Sequence, residues 1–381
     1  HDIIISYHVY NKTDSEQRQE KRMELIIADS KKLKKELLGF YRSQYHDNEL
    51  RRDSLSGLLE GILFEKSVMC HSVETIPLMV RSEGSVIMCC VLARASRMKE
   101  YLQISFFESS SYSTEAFELI YAQALYSAQK WGTQKICASL NIHVNYGLGF
   151  LSDSYDKPQS FGMAHNYEFI HRYFREHGFK EIPMVTFFKD MKNEFSLIDE
   201  SMRKRLAGRY TVRTADLRNI EREALIYTRL NNDAFRDHLF YYMRDEKEDL
   251  ELFRDLRFLI RNENLLFVQK DGVEVGFMLW YPDFHELMDQ RETVGVRTVI
   301  KTAMKRNSLR KFKIVEMGVI KEEQKKGAIL ALFDCCLSLT KGRYDSFESG
   351  WVLKENYLSG NFGYKWADGV SKTYSAYVKE L

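Results

Sequence analysis

Proline is scarce in this chain, with four in 381 residues, and its 20 glycines follow no period. Collagen-like and low-complexity architectures are thereby excluded. Cysteine is almost as thin. Cys89-Cys90 and Cys335-Cys336 sit in the apolar runs IMCCVL and LFDCCL, Cys70 and Cys137 stand alone, and no CxxC occurs. That usage excludes a disulfide scaffold and reads as small buried hydrophobes in a reducing compartment, so a cytoplasmic location is expected. An excess of one charge is missing too. Lysine and arginine number 56 against 54 acids, a net +2, so nothing global steers the chain to nucleic acid or to an acidic membrane, and neither is expected as a partner. No apolar run approaches the roughly 20 residues that span a bilayer, and no basic and apolar leader opens the sequence. The chain has no G-x-S-x-G elbow and no GK[ST] loop, so serine hydrolase and P-loop NTPase readings lack support. His165, His171 and His177 recur every six residues, which on a helix turns successive rings about 240° apart. No metal site is expected from them.

What is present is the balance of a folded protein, 44% hydrophobic and 29% charged. The length exceeds one ordinary core and suits two. In the first half, apolar runs at 23–29, 73–81, 85–94, 101–107, 135–140 and 182–188 read as strands, with Ser-Glu-Gly joining the second and third as a hairpin. Segments 31–41 and 168–177 read as helices. A third helix carries Ala116, Phe117, Ile120, Tyr121, Ala124, Leu125, Ala128 and Trp131 on one face, with Ser113 or Thr114 to cap it and Gly132 to end it. The polar stretch 191–208 is the expected boundary. Beyond it the order repeats: strand 210–213, helix 220–231, strands 265–269 and 274–280 about a Lys-Asp-Gly-Val turn, strand 312–320, helix 328–340, and strands 346–352 and 373–378. An α/β (α+β) fold of two modules, 23–195 and 209–381, is expected.

The sharpest chemical signal is FKIVEMGVIKEEQKKGAILALFDCCL, 312–337. A strand runs into Gln324, Lys325, Lys326, Gly327, Ala328 and Ile329, which open a helix whose apolar face seats it on a sheet. A seated helix start offers free amides and a positive dipole end, a cradle for a pyrophosphate. Gly327 permits close backbone approach, and the two lysines add charge. The plain alternative is an ordinary strand-to-helix turn with solvated lysines. This loop resembles the Q/R-x-x-G-x-G/A loop of GNAT acyltransferases, with Ile329 standing where Gly or Ala is usual. The resemblance implies acetyl-CoA or another acyl-CoA as co-substrate, no metal, and a small-molecule amine as acceptor.

Further pieces extend it. NNDAF (231–235), DGVEVGF (271–277), YPDF (281–284) and MGV (317–319) occur in order in the second half. NIHVNYGLGFLSDSYD (141–156), SFGM (160–163) and REHGF (175–179) occur in the first. Together these resemble the YghO-like family of two-domain GNAT-related proteins, over roughly residues 23–381. The likeness implies two tandem GNAT-like modules, each a mixed, splayed sheet flanked by helices. It implies that Met317 and Val319 would present backbone at the splay and that Asn356 would lie near the pantetheine arm. Tyr364 or Tyr357 would be the acid, and Asn232, Tyr281 and Asp283 would face the substrate. Glu316 shares the strand face of Gly318 by the period of two and is the natural base; a strand-edge pairing with Lys313 is the other reading. Ser359, Gly360 and Gly363 are expected to break any helix between Asn356 and Tyr364. After Phe107 the first half has no such glycine loop, only Glu108 and Glu115 near where phosphate would lie, so it is expected not to bind CoA in the usual way. The expected activity is acyl-CoA-dependent N-acyl transfer by the second module. A non-catalytic descendant that binds a metabolite or partner, or a Fem-like aminoacyl transferase, are the alternatives.

Overall fold

Two short turns show how local sequence sets the sheets. Val73–Ser82 and Ser85–Ala95 pair antiparallel with Ser82 opposite Ser85, leaving Glu83 and Gly84 as a two-residue loop at φ 50° and 82°. Leu265–Lys270 and Val273–Pro282 close the same way through Asp271 and Gly272, φ 52° and 79°. Two consecutive positive φ values match the twist of a tight hairpin, and glycine supplies the second at little cost. The computed structural model to which these elements belong describes residues 4–10, 20–193 and 195–381.

The chain forms two compact units. One contains the residues up to Pro183 with Asp289–Val294 and Tyr374–Leu381; the other contains Met184–Met288 and Gly295–Thr373. In the first unit, Ile4–Tyr10, Glu20–Ile27, Val73–Ser82, Ser85–Ala95 and Tyr101–Ser109 pair in that order, each antiparallel to the last. Lys135–Ala138 then pairs parallel to Tyr101–Ser109, with the helix Thr114–Trp131 between them in sequence. Ser113 caps that helix by accepting from the Ala116 amide, and Gly132 ends it at φ 65°. Its buried face holds Ala116, Phe117, Leu119, Ile120, Ala124, Ser127 and Ala128. Leu125, expected on that face, is exposed. The aromatic core beneath it joins Phe107, Phe117, Phe150, Tyr173, Phe174 and Tyr377.

The second unit repeats the plan. Thr211–Thr214, Leu265–Lys270, Val273–Pro282 and Lys311–Val319 are neighbours and antiparallel. Ser346–Ser349 lies parallel to Lys311–Val319, after the helix Ala328–Thr340. The strands of each unit are completed from the other half of the sequence. Residues 377–380 pair with 135–138 in the first unit, and residues 188–190 pair with 346–348 in the second. The compact units part at Pro183 and Met184, ahead of the polar stretch 191–208, and Tyr374–Leu381 belongs to the first unit.

Several elements arise where sequence reading expected loop. Glu200–Ala207 lies inside the polar boundary stretch and is capped by Asp199. Glu246–Leu256 starts on a capping box, Asp245 with Glu248. Tyr357–Trp366 is helical despite Ser359, Gly360 and Gly363. Asn356 caps its start, and Trp366 stacks on Phe347 with centroids 4.8 Å apart. Tertiary packing outweighs the propensity cost of two glycines, about 1 kcal/mol each. His165, His171 and His177 have separate partners; His165, outside the helix, meets the Lys157 carbonyl at 3.2 Å. His171 bonds the Tyr377 hydroxyl and the Leu151 carbonyl, both at 2.7 Å, while His177 bonds the Tyr173 carbonyl at 2.6 Å. The cysteines are free.

Candidate active site

In the second unit the parallel pairing of Lys311–Val319 runs from Lys311 opposite Ser346 to Ile314 opposite Ser349 and ends there. Past Ile314 the strand continues to Val319, with Glu316, Met317, Gly318 and Val319 held on their other side by Leu279, Met278, Phe277 and Gly276. One edge of 315–319 therefore opens into a splay where backbone amides are available. The first unit parts in the same manner, its parallel pairing ending at Ile104 opposite Ala138.

The helix Ile220–Phe235 lies against this strand. Gly318 makes the close approach possible, since a Cβ there would fall 2.6 Å from the Ala234 Cβ. Across that contact the Tyr227 hydroxyl donates to Glu316 Oε1, and Asn231 Nδ2 donates to Glu316 Oε2 at 2.9 Å. Asn231 Oδ1 accepts from the Tyr241 hydroxyl at 2.7 Å, and Tyr241 also reaches Asn232 Oδ1 at 2.6 Å. Asn232 is turned inward. It bonds the backbone of Arg244 through its amide group at 2.9 Å and through its oxygen at 2.8 Å. Arg244 and Asp249 form a fully buried ion pair behind it, and Thr228 Oγ1 donates to Asp249 at 2.8 Å. A continuous polar chain thus holds the Glu316 carboxylate from the helix side.

Burial pushes the Glu316 carboxyl up to about 7, with Asp249 adding to the rise and the Tyr227 and Asn231 bonds and Arg244 opposing it. Burial and the Glu316 charge raise the Tyr227 phenol well above its usual value, so it remains a donor. Tyr281 is likewise raised by burial, then by Glu316 and Asp283. Because the folded value near 7 exceeds the unfolded value of about 4.3, the carboxyl favours the folded state when protonated. Wild type should therefore lose stability relative to Glu316→Gln as pH rises from about 4.3 to 7. The loss should reach at most about 4 kcal/mol and be constant above pH 7. Urea unfolding of both proteins at acid and alkaline pH measures it; parallel curves would show that this carboxyl is not perturbed.

Lys313 is not the partner of Glu316. It is buried opposite Tyr281 and Glu348. Burial brings its ammonium down to about 8, while Glu348 and Asp283 hold it up. Asp283 caps the turn Phe284–Leu287 by accepting from the His285 amide at 3.0 Å.

The helix start stands beyond the splayed strand. Gln324, Lys325 and Lys326 are exposed, Ala328 is buried and Ile329 is half-buried. The helix's first internal bond runs from the Ala331 amide to the Gly327 carbonyl at 3.1 Å, so the amides just before it have no intrahelical acceptors. Lys325 and Gly327 adopt φ 59° and 101°. A Cβ on Gly327 would lie 2.5 Å from Leu206 Cδ2, so that side chain would have to shift to admit one. Glu323 sits under the loop. It accepts from Lys270 and from the Tyr210 hydroxyl, each at 2.7 Å, and those bonds hold its carboxyl down to about 2. Lys326 also approaches it, at 3.7 Å. Free amides flanked by two exposed ammonium groups suit a pyrophosphate.

Asn356 spends its side-chain oxygen on the Ser359 amide at 3.2 Å. Tyr364 is exposed, with its ring edge-on to Phe187 at 5.0 Å. Sequence reading missed Tyr227, Asn231, Tyr241, Arg244 and Asp249. The available signal was Tyr227 and Asn231 four residues apart on one helix face among apolar positions. In the first unit the corresponding strand puts Glu108 inside, ion-paired to Arg51 at 2.5 Å.

These two units, each with a strand that splays beside a crossover helix, have a GNAT-like fold. A tandem GNAT protein of the clavulanic acid biosynthesis pathway superposes with a TM-score of 0.56 at 11% identity, over 94% of this chain and 98% of its own. The GCN5-related glucosamine N-acetyltransferase region of a fungal multi-domain beta-N-acetylglucosaminidase gives 0.56 at 12% identity, over 99% of this chain and 38% of that one. In sequence, a bacterial ceramide synthase of Caulobacter vibrioides is 24% identical over 273 residues, 67% of this chain and 70% of the relative. No protein-family model matches the chain. Among the described residues, no helix is long and apolar enough to cross a membrane, and no group of three His, Cys, Asp or Glu could hold a metal ion.

Proposed function

We propose that this chain is an acyl-CoA-dependent N-acyltransferase of the YghO-like kind, that its second unit carries the chemistry, and that its acceptor is a long-chain amino alcohol. The observation that carries the reading is the Glu316 carboxylate, fixed by Tyr227 and Asn231 on a strand whose opposite edge opens into the splay. Likeness to the bacterial ceramide synthase supports an acceptor of the sphingoid-base class, since a ceramide is the amide of such a base. The free amine attacks the thioester carbonyl, a C–N bond forms, the C–S bond breaks and CoA leaves as its thiolate, while the amine's proton passes to Glu316 and then to the thiolate or solvent. A base with a pKa near 7 combines a large ionised fraction with useful proton affinity at neutral pH. Amides at the open edge of Met317–Val319 stabilise the developing oxyanion. The amides of residues 325–329, with Lys325 and Lys326, hold the pyrophosphate.

Calorimetry with long-chain and short-chain acyl-CoA tests the donor, and a sphingoid base with the preferred thioester tests the acceptor. Lys325→Glu combined with Lys326→Glu should weaken acyl-CoA binding about tenfold or more, because each reversal replaces attraction by repulsion. The unfolding temperature should remain close to wild type, since both side chains are exposed. Unchanged affinity in the double variant, or no binding of any acyl-CoA by wild type, would remove the donor site from this loop.

A further inference from the structure

The helix Val296–Lys305, VRTVIKTAMK, is turned against the usual polarity of a surface helix. Its buried side chains are Thr298 and Thr302, whereas Val296 is 77% exposed, Ile300 54% and Met304 77%. The spacing of four places these three in a line along one face, with exposed Ala303 beside them. A helix seated on its own core directs its apolar stripe inward. Single exposed hydrophobes are ordinary, but an aligned outward stripe marks a surface meant to be covered.

Charge indicates what covers it. From Thr293 to Val315 the chain carries seven basic residues and no acid. Arg306 and Lys313 are buried, while Arg297, Lys305, Arg310 and Lys311 are exposed and Lys301 is half-exposed. At about 100° per residue, Arg297, Lys301 and Lys305 form one flank, between the apolar stripe and the threonine face. A second copy of this chain docking through the same patch about a two-fold axis would bring two positive flanks together. An anionic bilayer accepts both features, its acyl region taking the stripe and its phosphates the flank. A ten-residue helix is only about 15 Å long, too short to span but suited to lie in the interface.

We propose that helix Val296–Lys305 is an interfacial helix that seats the protein on an anionic membrane surface. The net charge of +2 averages this local asymmetry away, which is why composition argued against a membrane partner. Seating would bring the second unit to the surface where long-chain amines and acyl chains partition, yet vesicle binding needs no acyl donor. It therefore stands or falls separately from the catalytic reading.

The test is flotation of the whole chain with vesicles of phosphatidylcholine alone or mixed in equal parts with phosphatidylglycerol. Wild type should float with the mixed vesicles and bind the neutral ones at least about tenfold more weakly, with binding reduced by salt. Ile300→Glu with Met304→Glu should lower partitioning about tenfold or more. Arg297→Gln with Lys305→Gln should lower it about fivefold per charge. Both pairs are exposed, so unfolding temperatures should match wild type, and if the glutamate pair unfolds the protein the glutamine pair decides. Failure of wild type to float, or flotation unchanged in the variants, would overturn the proposal. So would sedimentation showing a dimer that the glutamate pair dissociates, because the stripe would then belong to a second copy.

Discussion

Replacing Glu316 by Gln is expected to lower acyl transfer at neutral pH by about 100- to 10,000-fold, the usual contribution of a positioned general base. Gln preserves shape and still accepts from Tyr227, so the loss isolates the proton acceptor. With its pKa near 7, wild-type Glu316 is increasingly protonated below neutrality, and the difference between the two proteins should narrow there. It should narrow again in strongly alkaline solution, where the free amine needs less help. The greatest separation is expected between these limits, in single-turnover measurements with saturating acyl-CoA. Acyl-CoA affinity should barely change, because the carboxylate meets the amine and not the phosphates. Full activity in the Gln variant at neutral pH would take Glu316 out of the chemistry. Positioning of two bound substrates would then be left as the main source of rate.

Gly327→Val should destabilise the protein by about 2–5 kcal/mol, making it the most damaging single change in the loop. Two penalties act together. At φ 101° a β-branched side chain is strained, and its Cβ would stand 2.5 Å from Leu206 Cδ2. The result is a test of folding before it is a test of binding. Urea unfolding should show a lower midpoint with little change in slope, and any loss of acyl-CoA affinity must be measured where the variant remains folded. A stability equal to wild type would mean that the loop adopts another conformation in solution. The lysine reversals described above are the cleaner probe of the phosphate contact.

How the residues divide between legible and hidden follows from the range of the forces involved. Hairpin turns at Glu83-Gly84 and Asp271-Gly272 could be read because φ preferences act within two residues. The ends of Thr114–Trp131 could be read because Ser113 and Gly132 meet the helix's own orphan groups. The strand Lys311–Val319, the loop after it and the helix Ala328–Thr340 could be read for a similar reason, as one contiguous strand–loop–helix. The partners of Glu316 were not. Tyr227 and Asn231 reach it from a helix more than eighty residues earlier, and the sequence alone pointed instead to nearby Lys313.

The outward stripe of Val296–Lys305 illustrates the same division. Periodicity reveals an amphipathic pattern but not which face meets the core; only packing of Thr298 and Thr302 inward decides it. The helix Tyr357–Trp366 formed against its local propensity because Trp366 and Phe347 stack, a contact between distant residues. By itself, the sequence determined most of the alternation of strands and helices and the duplicated order of the two halves. These are short-range properties of backbone sterics, capping and binary pattern. Tertiary structure decided which strands complete each sheet, which groups hold Glu316 and which face of a helix is left to the surroundings. Those choices depend on burial, and burial is fixed only when segments far apart in the chain exclude water from one another.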